Sequence, residues 1–360
     1  MRPVLLLAVF IPVAVVLEVA HASPVLVFSA AALGVSPCAA VMGDSTEHLA
    51  ARTGPGIGGL LNVTFGNAPE LIIAFFALIE GLQEVVKASI VGSVIGNILL
   101  VLGAAMVVGG LPREKQTFSR TAANAQSAML VLALAALVFP AIFQLIHGGG
   151  LPSVGEERVD FGSDLEKLSL GVSLVLLASY ASGLVFSLRT HRGVFNPYEE
   201  GEDEEGLAWP IRRSVATLAV SAVAVGVMSE ILVGSIEDAS SDIGLSHFFV
   251  GVFVVAIVGN AAEHWVAVLV AAKNKMDLAV NIAIGSSAQI ALFVAPLLVL
   301  ISFVIGPDPM ALVFNGYELV GLLFAVLIAN LVTQEGESNW FEGVQLMSLY
   351  AVIGLVFYFA

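Results

Sequence analysis

The sequence predicts an all-α polytopic membrane protein: one N-terminal helix followed by two inverted-topology five-helix repeats. Three observations predict it. Apolar residues make up 58% of the 360 and charged residues only 12%, where a soluble domain carries about 25% charged. Apolar runs of about 18 residues or more, enough to cross a bilayer, recur from end to end. One polar motif also occurs twice inside such runs, as Gly66-Asn67-Ala68-Pro69-Glu70 and as Gly259-Asn260-Ala261-Ala262-Glu263.

Taken in order, the apolar runs give eleven expected spans, at 4–20, 24–48, 57–80, 86–110, 121–146, 167–189, 212–233, 247–272, 277–305, 315–333 and 342–359. The first has two readings. Arg2, an apolar stretch and Ala20-His21-Ala22 before Ser23 fit a retained helix, and they also fit a cleavable signal peptide. Two longer polar breaks fall at 147–166 and 190–211, and the second holds the acidic run Glu199-Glu200-Gly201-Glu202-Asp203-Glu204-Glu205. Residues 1–22 are thus set apart as the N-terminal helix, 23–189 as the first repeat, 190–211 as an acidic linker and 212–360 as the second repeat. Alternating sides along the spans puts 11 of the 14 Lys and Arg with the N-terminus. The positive-inside rule then predicts a cytoplasmic N-terminus and a cytoplasmic acidic linker.

The repeat rests on spacing. Glu70 and Glu263 stand 193 positions apart, as do Gly92-Ser93 and Gly285-Ser286, so the motif and the following helix recur in step. Ten spans divided five and five force the second half to enter from the opposite side, the plan of many secondary transporters. A net charge of −15 argues against nucleic acid and for cations. The single Cys38 makes neither an intramolecular disulfide nor a metal cluster.

An ionisable residue inside a span costs about 2.5–3.5 kcal/mol on insertion scales and marks a functional site by default. Two of them, each behind Gly-Asn, make Glu70 and Glu263 the leading candidates for a shared site. Asn67 and Glu70 are three apart, as are Asn260 and Glu263, which places each pair on one helical face. Gly66 and Gly259 permit close approach or local unwinding, and Pro69 opposes a regular turn. Two carboxylates, the Asn67 and Asn260 amides and backbone carbonyls form a hard oxygen set of the kind Ca2+ takes, with 6–8 ligands in irregular geometry. The asparagines serve equally well as donors that fix the carboxylates.

The following helices add Asn97 and Gln289 as site candidates, while Ser93 and Ser286 read as helix-bridging groups. His264 is read as a proton relay beside Glu263 or as a packing residue. Glu47, Glu230 and Glu237 are candidates for vestibules that gather cations. The same acids explain coupling: burial and mutual repulsion favour protonation, a divalent cation favours both ionised forms, and the two compete.

Gly66-Asn67-Ala68-Pro69-Glu70-Leu71 and Gly259-Asn260-Ala261-Ala262-Glu263-His264 resemble the two conserved repeats of the Ca2+/H+ antiporter (CAX) family of the cation/Ca2+ exchanger superfamily. Residues 58–65, Gly-Gly-Leu-Leu-Asn-Val-Thr-Phe, and 285–290, Gly-Ser-Ser-Ala-Gln-Ile, extend the likeness. Pro69 departs from it, since a small aliphatic residue is common there. The resemblance implies that Glu70 and Glu263 carry both Ca2+ and protons by alternating access, with movement of 24–48 and 212–233. It implies Ca2+ and H+ as substrates, the lipid bilayer as surroundings, no resident cofactor and no enzymatic activity. A prokaryotic plasma membrane is the implied location, and a homo-oligomer is left open. The rival readings are a Na+/Ca2+ exchanger of the same superfamily and a passive cation channel. An intramembrane hydrolase has no motif to support it.

Overall fold

The computed structural model describes residues 3–154, 163–190 and 209–360, without the side chains of Pro3, 54–57, 59, 62 and 63. The acidic run 199–205, Arg2, Arg158 and Arg192 lie outside the described residues. The chain is helical almost throughout; among the described residues the only strands are β1 (Gln116–Thr117) and β2 (Glu337–Ser338), paired antiparallel. Among the described residues nine helical stretches are long and apolar enough to cross a membrane, and two shorter apolar helices, Val4–Val19 and Ala68–Ile79, accompany them. The chain is therefore an integral membrane protein. The expected span 57–80 is not one helix: the motif at Asn67 interrupts it.

The helices form two compact units, one of residues 1–76, 178–243 and 258–262, the other of 77–177, 244–257 and 263–360. In the first unit a short 3-10 segment leads into α1 (Phe10–Val19), followed by α2 (Pro24–Gly66). If straight, the 43 residues of α2 would run about 65 Å, twice the ~30 Å of bilayer hydrocarbon. It is not straight. A side chain on Gly58 would collide with the Ala50 carbonyl, eight residues earlier, which a straight helix keeps about 12 Å away. The helix bends between Ala50 and Gly58, and its membrane-length stretch ends at Thr53.

Then α3 (Ala68–Ile79) begins. The unit is completed by α8 (Ile211–Gly234) and α9 (Ile236–Ile243), with the end of α7 (Asp164–Val185). Gly34 brings α2 against Met228 of α8, whose sulfur lies 2.9 Å from where a Cβ would stand. Small residues at such crossings let helices approach where lipid offers no hydrophobic drive. At the start of α8, Trp209 stacks on His48 at 4.3 Å and lies under the Arg213 guanidinium at 4.2 Å.

The second unit centres on α4 (Gln83–Ile95), buried at every position but Glu84. It runs through a π-helical segment, Gly96–Val101, into α5 (Leu102–Gly110). A second π segment, Val250–Val255, joins the turn His247–Phe249 to α10 (Ala256–Ala272). A third, Ile290–Val294, joins α11 (Met276–Gln289) to α12 (Ala295–Ser302). The first and third end at Val101 and Val294, 193 positions apart like the motifs, so the repeat is visible in the backbone as well as in the side chains.

Around them lie α6 (Arg120–Ile146), α13 (Gly316–Thr333) and α14 (Trp340–Tyr358). Gly92 lets α4 cross the π segment at Val252, whose carbonyl occupies the place of a side chain. Gly103 and Gly343 let α5 cross α14 in the same way. Asn315 with Glu318 and Asn339 with Glu342 form capping boxes at the starts of α13 and α14, each satisfying orphan amides at a helix start.

Two loops in this unit grip helix ends. After α5, Gln116 Nε2 donates to the Ala271 carbonyl at 3.0 Å and Arg113 Nη2 to the Ala272 carbonyl at 3.2 Å, at the end of α10. After α12, Gly306 lies against the Leu78 carbonyl at the end of α3, and the Asp308 carbonyl accepts from Gln83 Nε2 at 2.8 Å. Each repeat thus secures the C-terminal end of the motif helix of the other.

Candidate functional site

The first motif breaks its helix and the second does not. Asn67 sits between α2 and α3 with φ −96 and ψ 20. Ala68 and Pro69 open α3, where the missing proline N–H costs nothing because first-turn amides lack an intrahelical partner. Glu70 is therefore in the first turn of a new helix, where the partial positive end of the helix dipole favours a carboxylate. Ala262 replaces the proline in the second motif, and α10 runs unbroken from Ala256 through Asn260, Glu263 and His264.

Within the first unit the two motifs meet. Gly259 packs on Glu70: a Cβ at 259 would lie 3.3 Å from Glu70 Cγ and 3.5 Å from its Oε1. The missing side chain leaves room for the carboxyl group. Asn67 and Asn260 are both buried, at 2% and 1% exposure, while Gly66 and Glu70 are half-buried.

Within the second unit Glu263 and His264 are held from two different helices. Ser286 Oγ donates to Glu263 Oε2 at 2.7 Å, a bond that strengthens whenever the carboxyl group is ionised. His264 Nε2 meets Asn97 Oδ1 at 2.9 Å. Asn97 lies in the π segment after α4, 2% exposed. Gln289 follows Ser286 by three positions, at the point where α11 gives way to its own π segment. Ser286, read from sequence as a helix bridge, does bridge helices, and the group at the other end is the Glu263 carboxylate. The Gly-Ser pair recurring at 193 was the signal that could have promoted it.

Glu47 on α2, Glu230 on α8 and Glu237 on α9 are all exposed, on the first unit. Among the described residues no three His, Cys, Asp or Glu side chains group together as a metal cage. The structure sets the Gly259 backbone against Glu70 and the Ser286 hydroxyl on Glu263.

A sodium/calcium exchanger protein family model matches residues 23–189 and 213–359. The chain belongs to that family. It is 42% identical to a Ca(2+)/H(+) antiporter of Aphanothece halophytica, over 98% of this chain and 95% of the relative. It is 41% identical to the Ca(2+)/H(+) antiporter ChaA of Bacillus subtilis, over 98% of both. The solved structure of native YfkE matches with a TM-score of 0.82 and 38% identity, covering 99% of each chain. Membership of this exchanger family agrees with the resemblance carried by the paired motifs, and the helical membrane architecture agrees with the fold class expected from sequence.

Proposed function

We propose that this protein exchanges Ca2+ for protons across a membrane by alternating access, with Glu70 and Glu263 as the acids that carry both. The observation that carries the reading is the pair of motif carboxylates inside apolar helices, one set against Gly259 and the other held by Ser286. Similarity to relatives named Ca(2+)/H(+) antiporters, at about two-fifths identity over nearly the whole chain, supports protons over sodium as the coupling ion.

The physical logic is charge. Two ionised carboxylates in a low-dielectric setting are expensive unless neutralised. One divalent cation neutralises both, and so do two protons. Either loaded form can therefore change its exposure cheaply, and the empty, doubly charged form cannot. That difference is what turns two binding equilibria into coupled exchange. Asn67, Asn260, Gly66 and Gly259 belong to this assignment through their backbone carbonyls and amides, and Gln289 through its place beside Ser286. On the basic-residue count the N-terminus faces the cytoplasm.

Glu70→Gln and Glu263→Gln test the assignment. Each keeps the shape and removes the charge, so each should abolish proton-driven Ca2+ uptake in proteoliposomes while the protein still purifies as a folded species. Coupled uptake surviving in either variant would remove that residue from the site.

A further inference from the structure

Asn97 and His264 both break the internal repeat, and they break it together. At the 193-residue offset, the counterpart of Asn97 is Ile290 and the counterpart of His264 is Leu71. Each half has one polar side chain where the other has an aliphatic one: the amide in the first half faces Ile290 in register, and the imidazole in the second half faces Leu71. In the structure these two departures touch, at 2.9 Å, although 167 residues separate them.

An amide side chain has one acceptor atom and one donor group. The Asn97 carbonyl accepts from His264 Nε2–H. What remains of Asn97 is its Nδ2, which is buried without a hydrogen-bond partner. A donor group has nothing to offer a cation, and one lone pair of the single amide oxygen is already directed at His264. The π-helical backbone at Gly96–Val101 sets the direction of this side chain: the Leu102 N–H reaches back five residues to the Asn97 carbonyl. Segments of this type interrupt the α-helical register and recur at functional positions.

We propose that Asn97 is a positioning residue for transport: it holds His264, and with it the turn of α10 that carries Glu263, and it does not ligate the cation. The inference rests on the reading of Glu263 as a transporting acid. It gives this first-repeat asparagine a part in holding the second repeat's motif helix and leaves the cation's oxygens to other groups.

A double-mutant cycle decides between positioning and ligation. Ca2+ uptake is measured in proteoliposomes for wild type, Asn97→Ala, His264→Ala and the double variant. Each single change should lower the maximal rate by about 3–10-fold, the worth of one hydrogen bond, with the apparent KM for Ca2+ held within about twofold. The double variant should be no slower than the worse single one, because interacting residues are non-additive. Asn97→Asp keeps an acceptor oxygen and should recover most of the rate. Multiplying losses in the double variant, or a KM that rises about tenfold for Asn97→Ala even beside His264→Ala, would overturn the proposal and make Asn97 a ligand.

A transport-independent arm reads the bond itself. In histidine-15N-labelled protein in detergent at alkaline pH, the His264 signal, assigned by its loss in His264→Gln, should show a protonated and hydrogen-bonded Nε2. Asn97→Ala should shift that signal; an unchanged signal would overturn the proposal. If wild type carries no Ca2+, the functional reading fails on that result, and the spectrum still decides whether Asn97 holds His264.

Discussion

Ser286 and Gly259 handle the two motif acids by opposite means. Ser286 places a donor on Glu263, and Gly259 removes a side chain to make room for Glu70. A hydrogen bond to a charged group contributes about 1.5–3 kcal/mol. Ser286→Ala should therefore cost about tenfold or more in Ca2+ transport efficiency, and Ser286→Thr, which keeps the hydroxyl, should lose far less. Equal rates for Ser286→Ala and wild type would show that the bond has no part in transport. The glutamates were legible in the sequence because a carboxylate in an apolar run has no ordinary structural reason to be there. The bond from Ser286 was not, because a serine in a Gly- and Ala-rich span serves helix packing as readily as a site. The Asn97–His264 bond was illegible for a different reason: its partners are 167 residues apart, and no periodicity connects them.

At the scale of elements, the packing depends on a few glycine crossings. Gly92 stands where a methyl group would overlap the Val252 carbonyl, a backbone atom that cannot swing away. Overpacking of this kind costs about 1–3 kcal/mol, occasionally more. Gly92→Ala should therefore lower the melting temperature in detergent. Gly96→Ala, four residues on and with open space around it, should leave it unchanged or raise it through better helix propensity. Similar melting temperatures for the two variants would contradict the crossing geometry. The break at Asn67 was foreshadowed by Pro69, and the continuity of α10 follows from Ala262 in the corresponding place. The π segments have no side-chain pattern to announce them, since they differ from α-helix by a shift of backbone bonding alone. Hydropathy predicts one span over 57–80 because it is blind to both the bend after Thr53 and the interruption at Asn67.

At the scale of the molecule, the repeat in the sequence and the compact units in space follow different divisions. The 193-residue offset relates consecutive halves of the chain, while each unit draws on both halves. Sequence periodicity records how the chain is composed and says nothing of which helices exchange partners. The loops after α5 and α12 make the exchange concrete: the first bonds the end of α10, and the second packs on the Leu78 carbonyl at the end of α3 and bonds the start of α4. All of this serves one claim, that Ca2+ and protons compete for the same two acids. Its most direct test is Ca2+ uptake into proteoliposomes containing the wild-type protein, driven by an imposed pH gradient with no Na+ on either side. The account predicts uptake that a protonophore abolishes and that added Na+ does not increase. Uptake that stays silent under the pH gradient and starts only with an imposed Na+ gradient would contradict it.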